Sequence, residues 1–362
     1  MKVALVEPYY GGSHRAWADG YAARSSHEVV LLTHEARFWK WRMHGGFLTL
    51  AEQLTDLAKN GWHPDVILAS SMMDVAAFAG AIRRTAAAVP IATYFHESQF
   101  TYPLSPADKV DFTYQMKNWG SAAVSDLVIF NSEYHRSVFA AEASSFLNAF
   151  PDNKHVDMVD RVMSDAVVLP VGIDLAAFTG DPIRSDEPPL LLWNQRWEHD
   201  KGPEELKAVL AVLLGNDVEF RMAMCGEVFV SVPPTFAEIT ELLGDRLIHE
   251  GHAERSLYES MLRESSVVLS TAGQEFFGIG VIEAIAAGAY PVLPNRLVYP
   301  ERIAALQYDP THSLFDSPEQ AADLIKRLMP NPPSEDLRSA TSQYDWSLVA
   351  DRYDELLVNL LS

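Results

Sequence analysis

Two carboxylates bracket a glycine turn in the stretch EFFGIGVIEAIAAGAYPVLP, Glu275 to Pro294. Glu275 opens it, Phe276 and Phe277 lead to Gly278, and an Ala-rich helix carrying Glu283 follows. A helix N-terminus built from small residues holds phosphate, because its free N–H groups and dipole point outward. The N–H groups around Phe276–Gly278 are expected to take that role. Phosphate in the middle with hydroxyl acceptors on both sides suits a nucleotide-linked sugar. The cations come from NQRWEHDKGPEEL (194–206), where Arg196 and Lys201 share one loop. Arg grips a diphosphate with a planar fork and Lys acts as a point charge; a solvated loop pairing these cations with Glu198 and Asp200 is the plainer alternative. Gly226, in CGE at a strand end, allows close backbone approach, for a ligand or for a bulge.

A second group of residues lies in the first half of the chain. PYYGGSHRAW (8–17) ends a strand at Glu7 and enters a helix near Ser13 through Gly11 and Gly12, with His14 in its first turn. A ligand approaching the backbone, or a plain tight turn, would use the same two glycines. YFHESQFTYP (94–103) places His96 and Gln99 after a strand, with Tyr102 on the same rim; a capping or core histidine is the alternative for His96. Asn131 and Ser132 follow DLVIF as cleft residues or as a helix cap. ARFWKWRMHGG (36–46) interleaves Arg37, Trp39, Trp41 and Arg42. Alternating aromatic and basic side chains stack on bases and hold phosphates; the same pattern also fits a core edge with both tryptophans turned inward.

Parallel strands must position these groups. KVALVE, EVVLLT, DVILAS, PIATYF, DLVIFNS and AVVLPVG read as buried strands in the first half, and LLLWNQ, EFRMAM, RLIHEG, SVVLST and AYPVLP in the second. Near-continuous apolar runs of this length are strands covered on both faces. Helical segments between them include Phe47–Asn60 and Val75–Ala87. The alternation predicts an α/β protein of two doubly wound, Rossmann-like domains facing across a cleft. The boundaries expected are 1–178, a linker over TGDPIRSDEPP (179–189), and 186–343. The helix YDWSLVADRYDELLVNLL (344–361) returns to complete the first domain, with apolar positions at 348, 349, 353, 356, 357 and 360.

The 362 residues include 28 basic and 49 acidic ones, a net charge of −21. That balance opposes a nucleic-acid partner unless a local basic patch does the binding. The one cysteine, Cys225 in RMAMCGE, excludes a disulfide framework and reads as a buried strand thiol. The first residues read as a strand and a turn, without the pattern of a leader, and no apolar run approaches the ~18 residues of a membrane span. A cytosolic protein is expected. No Asp-x-Asp pair and no His/Cys cluster with ligand spacing is present, so no metal is expected.

With these pieces in order, the chain resembles glycosyltransferase family 4, of the GT-B fold. The resemblance rests on Glu275 and Glu283 followed by EAIAAG, on Arg196 with Lys201, and on the terminal helix. VEPYYGGSH, RFWKWR, YFHESQ, VIFNSEYH, WNQRWEHDKGPEEL, CGE and STAGQEFFG…LVYPE are similar to the tRNA-queuosine α-mannosyltransferase family. That resemblance implies GDP-mannose as donor, queuosine-containing tRNA as acceptor, and a retaining transfer on one face that needs no metal. It implies catalytic roles for His96, near the sugar C6 oxygen, and for Glu275, Arg196 and Lys201. Donor binding would involve Gly226, Glu275, Phe276, Phe277, Gly278 and Glu283, with Glu283 on the ribose hydroxyls. Acceptor binding would involve Gly11, Gly12, His14, Arg37, Trp39, Trp41, Arg42, Gln99, Asn131 and Ser132. A family 4 hexosyltransferase with a lipid, glycan or small-metabolite acceptor is the alternative, and a non-catalytic nucleotide-sugar or RNA-binding protein is a further one.

Overall fold

Runs such as Val3–Val6 and Val66–Ala69 are wholly buried, which only a sheet covered on both faces allows. A computed structural model describes residues 1–103, 111–178, 180, 182–183, 186–228, 232–330 and 337–361. Its described residues form two sheets in two compact units. One unit is Met1–Ile173 with Tyr344–Ser362; the other is Asp174–Gln343. Of the expected linker 179–189, residues 179, 181, 184 and 185 lie outside the described residues.

The first sheet contains β1 (Lys2–Tyr10), β2 (Glu28–Glu35), β3 (Val66–Ser70), β4 (Ile91–Phe95), β5 (Leu127–Phe130) and β6 (Val167–Val168), in the order β2-β1-β3-β4-β5-β6. The second contains β7 (Leu190–Trp193), β8 (Arg221–Cys225), β9 (Leu247–Gly251), β10 (Ser265–Leu269), β11 (Tyr290–Pro294) and β12 (Leu314–Phe315), in the order β12-β11-β10-β7-β8-β9. The recorded pairings are parallel, with β1 beside β3 and β7 beside β10 at the points where strand order reverses. Ligands of open α/β sheets bind outside the carboxyl ends of strands at such points.

Several boundaries differ from those expected. β1 does not stop at Glu7 but runs to Tyr10, with a register irregularity between the two. β6 keeps two residues of its expected run, since Pro170 has no N–H for a ladder. β12 was not expected; two residues carry no periodicity to read. The second helix begins at Trp39 rather than Phe47, so the aromatic-basic segment is helical from Trp39 onward. Gly45 and Gly46 disguise this, because glycine inside a helix normally costs stability. Here a Cβ on Gly45 would lie 2.7 Å from the Trp41 ring, so the glycine makes room for it.

The terminal helix Trp346–Asn359 buries Trp346, Val349, Tyr353 and Leu357. Leu348, expected on that face, is exposed. Tyr353 Oη accepts from Trp17 Nε1 at 3.0 Å and donates to the Pro170 carbonyl at 3.2 Å. Asp354 accepts from Tyr21 Oη at 2.9 Å, from Ser25 Oγ at 2.6 Å and from the N–H and hydroxyl of Ser26. No helix among the described residues is long and apolar enough to cross a membrane.

Candidate active site

The loops after β7 and β10 meet at the switch point of the second sheet. After β7 the chain turns through His199–Lys201 into the helix Pro203–Gly215. Gly202 joins them with φ +66, and its Cα lies so close to Thr271 that a Cβ would come within 2.1 Å of that carbonyl oxygen. This contact, with hydrogen bonds from the N–H groups of Gly273 and Gln274 to the Asp200 carbonyl, locks the two loops together.

Lys201 is buried, with Nζ 2.9 Å from the Gln274 carbonyl and 3.4 Å from both Glu275 Oε2 and Asp200 Oδ2. Arg196 is half-exposed and pairs with Glu198 at 3.0 Å, with Asp200 at 3.9 Å. The pairs with acidic neighbours are therefore real; Arg196 keeps 43% of its side chain in solvent, whereas Lys201 is buried. Burial alone would raise the Glu275 pKa, but Lys201 and the N–H groups of Phe277 and Gly278 outweigh it and hold the carboxyl below its ordinary range.

One expectation needs correction here. The N–H groups of Phe276, Phe277 and Gly278 donate to Glu275 Oε1 at 3.2, 3.3 and 3.1 Å. They are consumed inside the turn by the acid that precedes it. The helix proper is Ile279–Ala287 behind Gly278, and helix geometry leaves its first N–H groups without intrahelical partners. Phe277 is buried beneath the Arg302 guanidinium, 4.4 Å from the ring centroid. Gly280 is a contact notch, where Asn194 Nδ2 donates to the Gly280 carbonyl at 2.8 Å.

Glu283 accepts from Tyr258 Oη at 2.7 Å, and Asn194 Nδ2 donates to the same phenol oxygen at 3.0 Å. Burial pushes the Glu283 pKa up, against the lowering effect of that hydrogen bond. A Cβ on Gly226 would sit 1.8 Å from the Gln195 carbonyl oxygen, so this glycine seats the Arg196 loop against the end of β8. Cys225 is buried, which pushes its thiol up to about 12 and fits an inert strand residue.

In the first unit, Glu7, His14 and His96 converge beside β1 and β4. Glu7 is fully buried; its Oε1 takes the Tyr9 N–H at 2.8 Å and its Oε2 lies 3.0 Å from His14 Nδ1. His96 Nε2 is 3.9 Å from the same oxygen. The His96 ring is enclosed by His14, Trp17 and Tyr94 at 4.3, 4.6 and 4.8 Å. Burial, with His14 and His135 nearby, holds its pKa well below the ordinary value. A neutral imidazole can accept or donate one proton at a sugar oxygen. Gly11 packs against Ala36, where a Cβ would come within 2.4 Å, while Gly12 takes the left-handed turn in open space.

Asn131 and Ser132 are corrected from acceptor contacts to internal supports. Ser132 is buried and caps the helix Glu133–Asn148 through the His135 N–H. Asn131 donates to the His96 carbonyl at 2.9 Å and lies 2.9 Å from His135 Nδ1 through its carbonyl oxygen. Gln99 donates to Glu97 at 3.0 Å, and its N–H bonds Asn118.

Comparison with known proteins assigns both units. Residues 2–173 match the family model described as tRNA-queuosine alpha-mannosyltransferase N-terminal. Residues 180–345 match the model for glycosyl transferases group 1. A tRNA-queuosine alpha-mannosyltransferase of Drosophila melanogaster is 33% identical over 312 residues, 83% of this chain and 81% of the relative. The chain belongs to the tRNA-queuosine alpha-mannosyltransferase family. It is a glycosyltransferase with the GT-B fold. Sucrose-phosphate synthase from Thermosynechococcus elongatus superposes over 99% of each chain, with TM-score 0.73 at 15% identity. Trehalose-6-phosphate synthase OtsA does so over 99% of each, with TM-score 0.69 at 13% identity. Likeness at such identity is one of fold. A GDP-mannose:cellobiosyl-diphosphopolyprenol alpha-mannosyltransferase of Xanthomonas campestris is 24% identical over 51% of this chain and 50% of its own.

The aromatic-basic segment of this family member is divided. Trp39 packs against Tyr114 and Tyr102, with ring centroids 5.3 and 6.5 Å away. Trp41 is exposed by 61%, which excludes the inward core edge for it, and the neighbouring Phe38 is exposed as well. Arg37 lies 3.6 Å from Glu35, and Arg42 Nε donates to the Glu35 carbonyl at 3.3 Å. In the sequence Glu7 stands only as a strand end and Asp200 only as an ion-pair partner, and nothing marks Asn194 or Tyr258. An acid at the carboxyl end of the first strand is a signal for Glu7. Tyr258 sits on a separate helix, Arg255–Glu264, and no spacing connects it to Glu283.

Proposed function

We propose that this chain transfers mannose from GDP-mannose to the queuosine nucleoside of tRNA, with retention and with no metal in the chemical step. What carries the reading is the match of residues 2–173 to the N-terminal model of the family, beside 33% identity to the Drosophila relative. As the anomeric bond weakens, negative charge grows on the leaving diphosphate, and its stabilisation is usually the largest catalytic contribution. Lys201, preset by Gln274 and Glu275, and Arg196 would supply it. The anion would sit at the first N–H groups of the helix Ile279–Ala287 rather than at Phe276–Gly278. Glu275 would offer sugar hydroxyls its ionised Oε2. Glu283, steadied by Tyr258, would accept from the ribose. His96 would act as a neutral hydrogen-bond partner of the sugar, with Gly11, Gly12, His14 and Gln99 bordering the acceptor. Arg37, Trp39, Trp41 and Arg42 would meet RNA.

Mixing the purified chain, GDP-mannose and queuosine-containing tRNA, followed by mass spectrometry of the nucleosides, should show queuosine gaining one hexose. No product with any sugar nucleotide would refute a transferase of this kind. The net charge of −21 favours one second reading, a smaller acceptor. Transfer to free queuosine or another small alcohol at least as fast as to tRNA would establish it.

A further inference from the structure

The geometry points to a divalent-cation site of the zinc class formed by Glu7, His14 and His96, which when filled acts as a brake on transfer. The ligating atoms of the three side chains lie within 4.8 Å of one another. A zinc ion with bonds of about 2.0–2.1 Å holds tetrahedral ligands about 3.4 Å apart. The distances from Glu7 Oε2, 3.0 Å to His14 Nδ1 and 3.9 Å to His96 Nε2, straddle that value.

Three observations favour a cation here. Glu7 brings a carboxylate that is wholly buried, and the two rings beside it are 12% and 10% exposed. His96 Nε2 is buried without a hydrogen-bond partner, 3.9 Å from the shared oxygen. The Tyr9 N–H holds Glu7 Oε1, leaving Oε2 as a single directed ligand, the kind of outer contact that orients metal ligands. Two imidazoles and one carboxylate select zinc-class ions over magnesium, and three protein ligands leave a position open to water or a hydroxyl. An ion there would occupy the nitrogen of His96. The consequence for transfer rests on the reading above, in which His96 meets the sugar.

Equilibrium dialysis of the full chain against zinc chloride, followed by metal analysis, should show one ion per chain. Cobalt in its place should give the visible absorption of a four- or five-coordinate centre. Losing a ligand in Glu7→Gln or His14→Phe should weaken binding by about tenfold or more, given that even outer contacts are worth that much. His14 lies in the first helical turn, so His14→Phe remains informative where the buried Glu7→Gln does not fold. A wild-type chain that retains no zinc, or a folded His14→Phe that retains it unweakened, overturns the site. Zinc should stop mannose transfer reversibly by chelator while leaving GDP binding unchanged; full transfer with zinc bound overturns the brake. Ion binding is read without donor or acceptor, so failure of the proposed reaction and failure of this site remain distinguishable.

Discussion

The ammonium of Lys201 lies 3.4 Å from Glu275 Oε2 and donates to the adjoining Gln274 carbonyl at 2.9 Å. One side chain from the loop after β7 thus fixes the acid and the turn after β10. The same contact sets two charges in place before any ligand arrives, and preorganised charge costs no reorganisation during reaction.

Lys201→Met should lower kcat/KM for the donor by about 100- to 1000-fold, the scale of losing one charge-stabilising donor. It leaves Asp200 and Glu275 short of their cation, so stability should fall by about 2 kcal/mol, less than for a fully buried pair because Glu275 is partly open. The pH dependence follows from the depressed Glu275 pKa. A carboxyl depressed in the fold stabilises above its unfolded pKa, and that contribution is lost as pH falls through the folded value. Without Lys201 the folded pKa rises, the contribution shrinks, and the acid-unfolding midpoint, followed by circular dichroism, should move to higher pH.

Tyr258→Phe tests the other acid. The phenol is the recorded side-chain donor to Glu283, and its loss leaves a carboxylate whose pKa burial already raises. The KM for GDP-mannose should rise by about tenfold or more, from the low end of the ~1.5–3 kcal/mol expected for a hydrogen bond to a charged group, with kcat much less affected. The loss of donor affinity on acidification should begin at higher pH than in the wild type. Equal KM and an unchanged pH profile would remove Glu283 from the ribose.

The strands were legible because a fully buried parallel strand writes itself as a continuous apolar run, and Glu275, Arg196 and Lys201 were legible because they lie just beyond such runs. What stayed hidden depends on contacts between segments remote in sequence. Gly278 announced a helix N-terminus, but nothing in EFFG says that Glu275 folds back onto the three N–H groups after it. Asn131 and Ser132 stood at the right strand end, yet buried polar groups must be satisfied, and the nearest unsatisfied partners were the His96 carbonyl and a helix start. Glu7 and His14 lie seven residues apart, but His96 is remote in sequence, and the pairing of β1 and β4 with β3 brings it to them.

The two tryptophans of the aromatic-basic segment should separate stability from recognition. Trp41 is 61% exposed, so Trp41→Ala should change stability by no more than about 0.5 kcal/mol. Base–aromatic stacking is worth about 1–3 kcal/mol, so tRNA affinity should fall by about 5- to 150-fold. Trp39→Ala removes packing against Tyr102 and Tyr114 and should lower the melting temperature as well. Filter binding at several salt concentrations and thermal melts measure both. Unchanged tRNA affinity in Trp41→Ala would point to the smaller acceptor.

Gly226→Ala should disable the donor loop without touching a charged group. The new Cβ would meet the Gln195 carbonyl oxygen at 1.8 Å and the Arg196 nitrogen at 3.3 Å, both backbone atoms that cannot rotate away. Gly226 cannot retreat easily either, because its N–H is held by the Gly251 carbonyl at 2.9 Å. The Gln195–Arg196 segment must therefore yield, and overpacking of this kind costs about 1–3 kcal/mol. Displaced Arg196 should reduce kcat/KM by more than the lost stability accounts for. Gly215→Ala is the control: it ends the helix Pro203–Gly215 with nothing within 4 Å of a new Cβ, and should leave turnover unchanged. If Gly226→Ala turns over like Gly215→Ala, the seat under Arg196 is not what positions it.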